Sequence, residues 1–143
     1  MTKNAQLLHY IIANTEKSSI TVLMKLCYLV DYVAFQRKKS QISEFKYQRY
    51  RFGPFDKNMY KDLEELEKNG YILHNSELSA VSEYVVYDIT KELESYDKIS
   101  EEEMSVIEEV LTELKGLGAR TLVKIAYATP PMRRLKATIG GVE

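Results

Sequence analysis

The 143-residue chain has the size of one ordinary domain, and its 45% hydrophobic and 29% charged content is that of a soluble globular protein. A formal net charge of −1 gives no global attraction to a polyanion, and a single cysteine, Cys27, excludes an internal disulfide. With only His9 and His74 beside that thiol, no apolar run long enough to span a membrane and no signal-peptide cleavage site, the expectation is a cytoplasmic module without metal or cofactor, one domain over 1–143 with 138–143 as a frayed tail.

Leu7, Leu8, Ile11 and Ile12 recur at helical spacing and predict a first helix over 3–14. Ser18 or Ser19 can cap a second, in which Leu23, Leu26, Cys27, Val30 and Ala34 make one apolar face and Tyr28, Leu29, Tyr32 and Val33 another. Apolar nearly all round, this helix reads as the central one, and it ends near Arg37-Lys38-Lys39, where positive charge suits a helix C-terminus.

Residues 44–52, "EFKYQRYRF", alternate as a strand does, with Phe45, Tyr47, Arg49 and Arg51 on one face and Lys46, Gln48, Tyr50 and Phe52 on the other. Gly53-Pro54 predicts a turn, and Asp56 an N-cap for a third helix carrying Met59, Leu63 and Leu66. Gly70 supplies the left-handed residue that ends it. "YIL" and "YVVYDIT" read as two strands of a hairpin with a long polar tip, "HNSELSAVSE". Helix, strand, helix, strand, wing, strand is the order of a winged helix. After a polar stretch, "KELESYDK", which reads as a helical turn or a linker, Ser100 and Glu103 form a capping box. The helix they open carries the stripe Val106, Ile107, Val110, Leu111 and Leu114 and stops at "GLG". "ARTLVKIAYA" is a further short helix, and Thr129-Pro130 starts a last one, "PMRRLKA". The fold class is therefore α+β, helix-rich with about five to six helices and a small antiparallel sheet, winged-helix-like in its middle.

A groove-reading helix must approach phosphates, yet residues 56–69 hold five acids against three lysines, and the expected wing carries two glutamates and no cation. Cations concentrate instead at Arg37, Lys38 and Lys39 and at Arg120, Lys124, Arg133, Arg134 and Lys136, while residues 100–115 hold six glutamates against one lysine. These faces complement one another or are solvated, or the basic one meets nucleic acid or an acidic partner. No catalytic constellation is present: neither histidine lies near a nucleophile, Cys27 falls on a buried stripe, and the paired glutamates are solvated faces. The strand face Tyr47, Arg49, Arg51 has the residue types of binding hot spots. Its arginines can clamp a partner's carboxylate or phosphate, or pair with the acidic helix at 62–67 and hold the fold; both readings remain open.

The ordered set Lys25, Leu26, Tyr28, Asp31, Gly53, Pro54, Leu63, Leu66, Gly70 and Ile72, followed by the strand ending at Ile89-Thr90, the capped acidic helix and "ARTLVKIAYATPP", resembles the Panacea domain, the SocA-like antitoxin family. The chain departs from the family pattern late, where a His and a Trp are replaced by Tyr127 and by Pro131 or Met132, and at the corner "RYRFGP". The resemblance implies a non-enzymatic, antitoxin-like module that neutralises a cognate toxin by binding it. In one branch the module is an adaptor delivering the toxin to a protease or its unfoldase, and other members occur beside prophage genes. The partner surface expected on this basis comprises Tyr28, Asp31, Tyr47, Arg49, Arg51, Gly53, Pro54 and Phe55. The alternative is a winged-helix transcriptional regulator that contacts DNA through Arg120, Lys124, Arg133, Arg134 and Lys136. The oligomeric state is not set by the sequence, and a dimer is one arrangement open to it.

Overall fold

The computed structural model describes residues 1–50, 53–78, 80, 83–114 and 116–134, with the backbone alone for Arg133 and Arg134. In chain order these form α1 (Lys3–Ala13), β1 (Ser18–Ser19), α2 (Ile20–Lys38), β2 (Gln48–Tyr50), β3 (Gly53–Phe55), α3 (Asn58–Lys68), β4 (Ile72–Leu78), β5 (Glu83–Ile89), α4 (Glu101–Leu114), α5 (Ala119–Ala128) and α6 (Pro130–Arg134). The architecture is the expected helix-rich α+β, with two small antiparallel sheets: β1-β5-β4 and the ribbon β2-β3.

Helix α2 is the axis. Every residue from Val22 to Asp31 is buried, because α1, α4, α5, β1 and β3 all pack on it. One hydrophobic cluster runs through Leu8 of α1, Leu26 of α2, Leu66 of α3, Ile107 of α4 and Leu122 of α5. The helix ends follow local chemistry. The Ser19 hydroxyl accepts from the Val22 N–H at 3.2 Å, and Ser100 and Glu103 cap reciprocally at 3.0 and 3.1 Å. Gly70, at φ +83°, closes α3 while the Tyr71 N–H bonds the Leu66 carbonyl.

Four expectations need correction. Among the described residues of the strand expected over 44–52, only Gln48–Tyr50 form one. Upstream, the Glu44, Phe45 and Lys46 N–H groups bond the side chains of Asn4, Ser43 and Asp56, so this extended backbone is satisfied without a strand partner. Gly53-Pro54 is not a turn: the register Arg49↔Pro54 and Tyr50↔Gly53 puts both residues in β3, and in a two-stranded ribbon proline can sit with its missing N–H facing away from the ladder. The hairpin β4-β5 pairs from Ile72↔Ile89 to Leu78↔Glu83, so much of the expected loop is strand; both faces of that part meet solvent and no alternation marks it. Asp56 bonds the Asn58 N–H at 2.9 Å, yet α3 begins only at Asn58.

The polar stretch after Thr90 is a strap rather than a helix. His9, buried in α1, places Nε2 2.8 Å from the Lys91 carbonyl, which makes Nε2 the donor and leaves Nδ1 to accept from the Tyr96 hydroxyl at 2.8 Å. Gln6 grips the same strap through Asp97 and the Lys98 N–H. Replacing His9 by Ala should therefore cost about 2 kcal/mol in a urea titration, through a cavity and the unpaired Lys91 carbonyl. Hydrogen exchange at the Lys98 N–H should accelerate in the same variant.

Candidate functional site

Three buried polar side chains on one side of α2, three residues apart, organise the face carrying the expected partner residues. Lys25, 2% exposed, donates its Nζ to the Pro54 carbonyl at 2.9 Å and so binds β3 to the central helix. Tyr28, 5% exposed, bonds Thr129 at 2.6 Å; because the Thr129 hydroxyl donates to the Ala126 carbonyl, the tyrosine is the donor. This bond fixes the α5–α6 junction. Asp31, 3% exposed, accepts from the Ile42 and Ser43 N–H groups at 2.9 and 2.8 Å through Oδ1, and from the Ser43 and Tyr47 hydroxyls at 2.5 and 2.6 Å through Oδ2. It thereby folds the segment between α2 and β2. Burial pushes the Asp31 carboxyl above its ordinary range although these four bonds pull the other way.

The ribbon β2-β3 is fixed on a second side by α5. The Tyr127 hydroxyl accepts from the Gly53 N–H at 2.9 Å. Arg49 lies over the Tyr127 ring at 4.4 Å and donates Nη1 to the Met132 carbonyl at 2.5 Å. Gly53 has φ +107°, and a Cβ there would stand 2.2 Å from Lys25 Cε. A side chain at 53 would be strained at this φ and would require the end of the Lys25 side chain to move away from the Pro54 carbonyl.

The family model for the antitoxin SocA-like Panacea domain matches residues 23–131. The chain belongs to this family. No curated protein and no solved structure matches it. In this Panacea domain the family-like residues Lys25, Tyr28, Asp31, Gly53 and Pro54 form one set of contacts around α2. Tyr127 and Met132 are the residues that hold Arg49.

Tyr28, Asp31, Gly53 and Pro54 are therefore brought together and buried, and Tyr28 and Asp31 lie at the floor of a groove beside Tyr47. Tyr47, Arg49 and Phe55 are half-buried. Arg49 is directed onto Tyr127 and Met132, a destination that neither expected role named. Arg51 and Lys136 lie outside the described residues, as do the side chains of Arg133 and Arg134. The outward side of the ribbon, with Tyr50 and Phe55 at 5.1 Å between ring centroids, continues onto α3 through Phe55 and Tyr60 at 6.1 Å; Tyr60 is 47% exposed. Sequence reading passed over Tyr50 and Tyr60 as site residues, although the first lies in the quoted strand. It also gave Lys25 no role, although a lysine inside an apolar run was itself a signal. A groove of about 290 Å³ beside Tyr47, bordered by Tyr32, Lys46 and Met132, has Phe35 on its rim at 55% exposure.

The basic end of α2 meets the acidic helix as expected: Arg37 pairs with Glu109 and Lys38 with Glu102, and Lys3 of α1 adds a pair with Glu103. Arg120 and Lys124 are exposed on α5. Cys27 is fully buried and its thiol is pushed well above its usual value, an unreactive setting. Among the described residues no helix is long and apolar enough to cross a membrane, and no cluster of His, Cys, Asp and Glu is placed to hold a metal ion.

Two predictions follow from the Lys25–Gly53 contact. Gly53→Ala should cost about 2 kcal/mol or more, and a double-mutant cycle with Lys25→Ala should recover the part due to the Cβ–Cε collision. Burial lowers the Lys25 ammonium from 10.5 to about 7. Above pH 7 the unfolded chain then binds more protons at this site than the folded one, so this contribution to stability rises with pH. Unfolding midpoints measured from pH 6.5 to 8.5 should climb more steeply in the wild type than in Lys25→Met.

Proposed function

We propose that this Panacea domain is an antitoxin that neutralises a cognate toxin by direct binding, and that the toxin meets the outward face of the β2-β3 ribbon and the start of α3. The observation that carries this reading is the strip Tyr50, Phe55, Tyr60, three neighbouring rings, two on a ribbon held by Lys25 and Tyr127 and the third at the start of α3. Aromatic side chains on an immobile support give large contact area at small entropic cost, the usual composition of an interface hot spot. Tyr47 and Arg49 contribute at its edges, while Tyr28, Asp31, Gly53 and Pro54 keep the ribbon in place. Family membership supports an antitoxin role in general. Delivery of the toxin to a protease is a separate step, distinguished by rescue in a host lacking the protease.

The reading as a DNA-binding regulator has less behind it. In that reading β4 and β5 would serve as the wing, yet they carry Glu77, Glu83 and Asp88, and α3 carries Glu64, Glu65 and Glu67.

Co-expression with the product of the neighbouring gene tests the proposal. The neighbour alone should arrest growth and the wild-type chain should restore it. Tyr60→Ala and Phe55→Ala should each weaken toxin binding by about thirtyfold and lose rescue, with an unchanged unfolding midpoint for Tyr60→Ala. Full rescue by the double variant would place the toxin elsewhere.

A further inference from the structure

Arg120 and Lys124 stand one turn apart on α5, both exposed, and among the described residues neither enters an ion pair. They differ in this from Lys3, Arg37 and Lys38, whose charges are each met by a glutamate of α4. No acidic residue occurs anywhere from Ala119 to Arg134 to neutralise them locally. One further turn along α5 lies Tyr127, with the Arg49 guanidinium over its ring, so a line of three cations extends from α5 onto the ribbon. At the other end of the helix, Ala119 borders a cavity of about 480 Å³ with an apolar wall of Ile20, Val22, Val85 and Leu117.

We propose that this cation line and the adjoining cavity form a docking surface for an acidic amphipathic helix of a protein partner. Arg120 and Lys124, about 6 Å apart along α5, match a pair of carboxylates four residues apart on a helix laid beside it. An apolar side chain farther along that helix fills the cavity. A pair of isolated carboxylates suits two or three cations, whereas a duplex presents a dense row of phosphates that needs many more. The cavity combines the apolar side chains Ile20, Val22, Val85 and Leu117 with Glu16, Lys17, Ser19 and Thr21, a mixed lining that suits the apolar edge of an amphipathic helix. The proposal deepens the toxin-binding reading, on which it rests for the identity of the partner.

The test uses the full chain and a fluorescein-labelled, alanine-based helical peptide of about 18 residues with two Glu four residues apart and a Leu one turn beyond. Fluorescence anisotropy should show saturable binding that weakens with added salt. Affinity should fall at least tenfold when both peptide Glu become Gln, or when the protein carries Arg120→Glu with Lys124→Glu, and about fivefold when the Leu becomes Ala. Both protein substitutions are at exposed positions, and an unchanged thermal midpoint verifies the fold; the milder pair Arg120→Gln with Lys124→Gln should give an intermediate loss. Absence of saturation up to millimolar peptide, equal affinity for the Gln peptide, insensitivity to charge reversal, or tighter binding of a 20-base-pair duplex in the same buffer would each overturn the proposal. The assay contains no toxin. A negative peptide result leaves toxin rescue standing, and failed rescue leaves the peptide result standing.

Discussion

The structure depends on a helix that is buried on nearly all sides while still carrying three strongly polar groups. An ammonium, a phenol and a carboxylate in an apolar interior are each costly unless bonded, so each dictates where a neighbouring segment must run. Lys25 requires a carbonyl and obtains that of Pro54; Tyr28 requires an acceptor and obtains Thr129; Asp31 requires several donors and obtains four between Ile42 and Tyr47. Irregular connections are converted in this way into fixed ones. The ribbon β2-β3, only three residues per strand, would have little stability alone and acquires its place from these contacts.

This arrangement separates support from recognition. The residues with the most specific contacts face inward, and those left facing out are aromatic or cationic. A partner meeting a surface supported in this manner, as proposed, would not have to order a loop first, which preserves binding free energy that would otherwise be spent on entropy. Electrostatics divides the molecule in a similar way. The cations of α1 and the end of α2 are matched by α4, whereas those of α5 face solvent.

The sequence was most legible where the controlling chemistry is local. Ser19, the Ser100–Glu103 pair and Gly70 mark helix ends because the groups they satisfy lie within four residues. The burial of Val106, Ile107, Val110 and Leu111 follows from the 3.6-residue period in the same direct manner. Legibility failed where a local signal admits two environments. Gly53-Pro54 is a turn signal in an isolated chain, but here it forms a strand against α2, with Gly53 at positive φ beside the Lys25 side chain. The strand signal at 44–47 was real as extended backbone, yet its partners proved to be side chains distant in sequence. Arg49 was expected to clamp a partner or pair with the acidic helix, and nothing in its spacing pointed to Tyr127 or Met132, about 80 residues away.

By itself, the sequence determined the order of the main helices, the identity of the central one, the α+β class and the family pattern, since periodicity, capping and residue order are properties of the chain. Only the tertiary structure decided which polar residues support and which are exposed to a partner. Tyr28 and Asp31 look like surface candidates in one dimension and become internal struts in three, while Tyr60, unremarked in the chain, comes to lie beside Phe55. The physical reason is that burial and hydrogen-bond partnership are set by segments brought together across long stretches of chain, and a side chain's role is fixed only when its neighbours are.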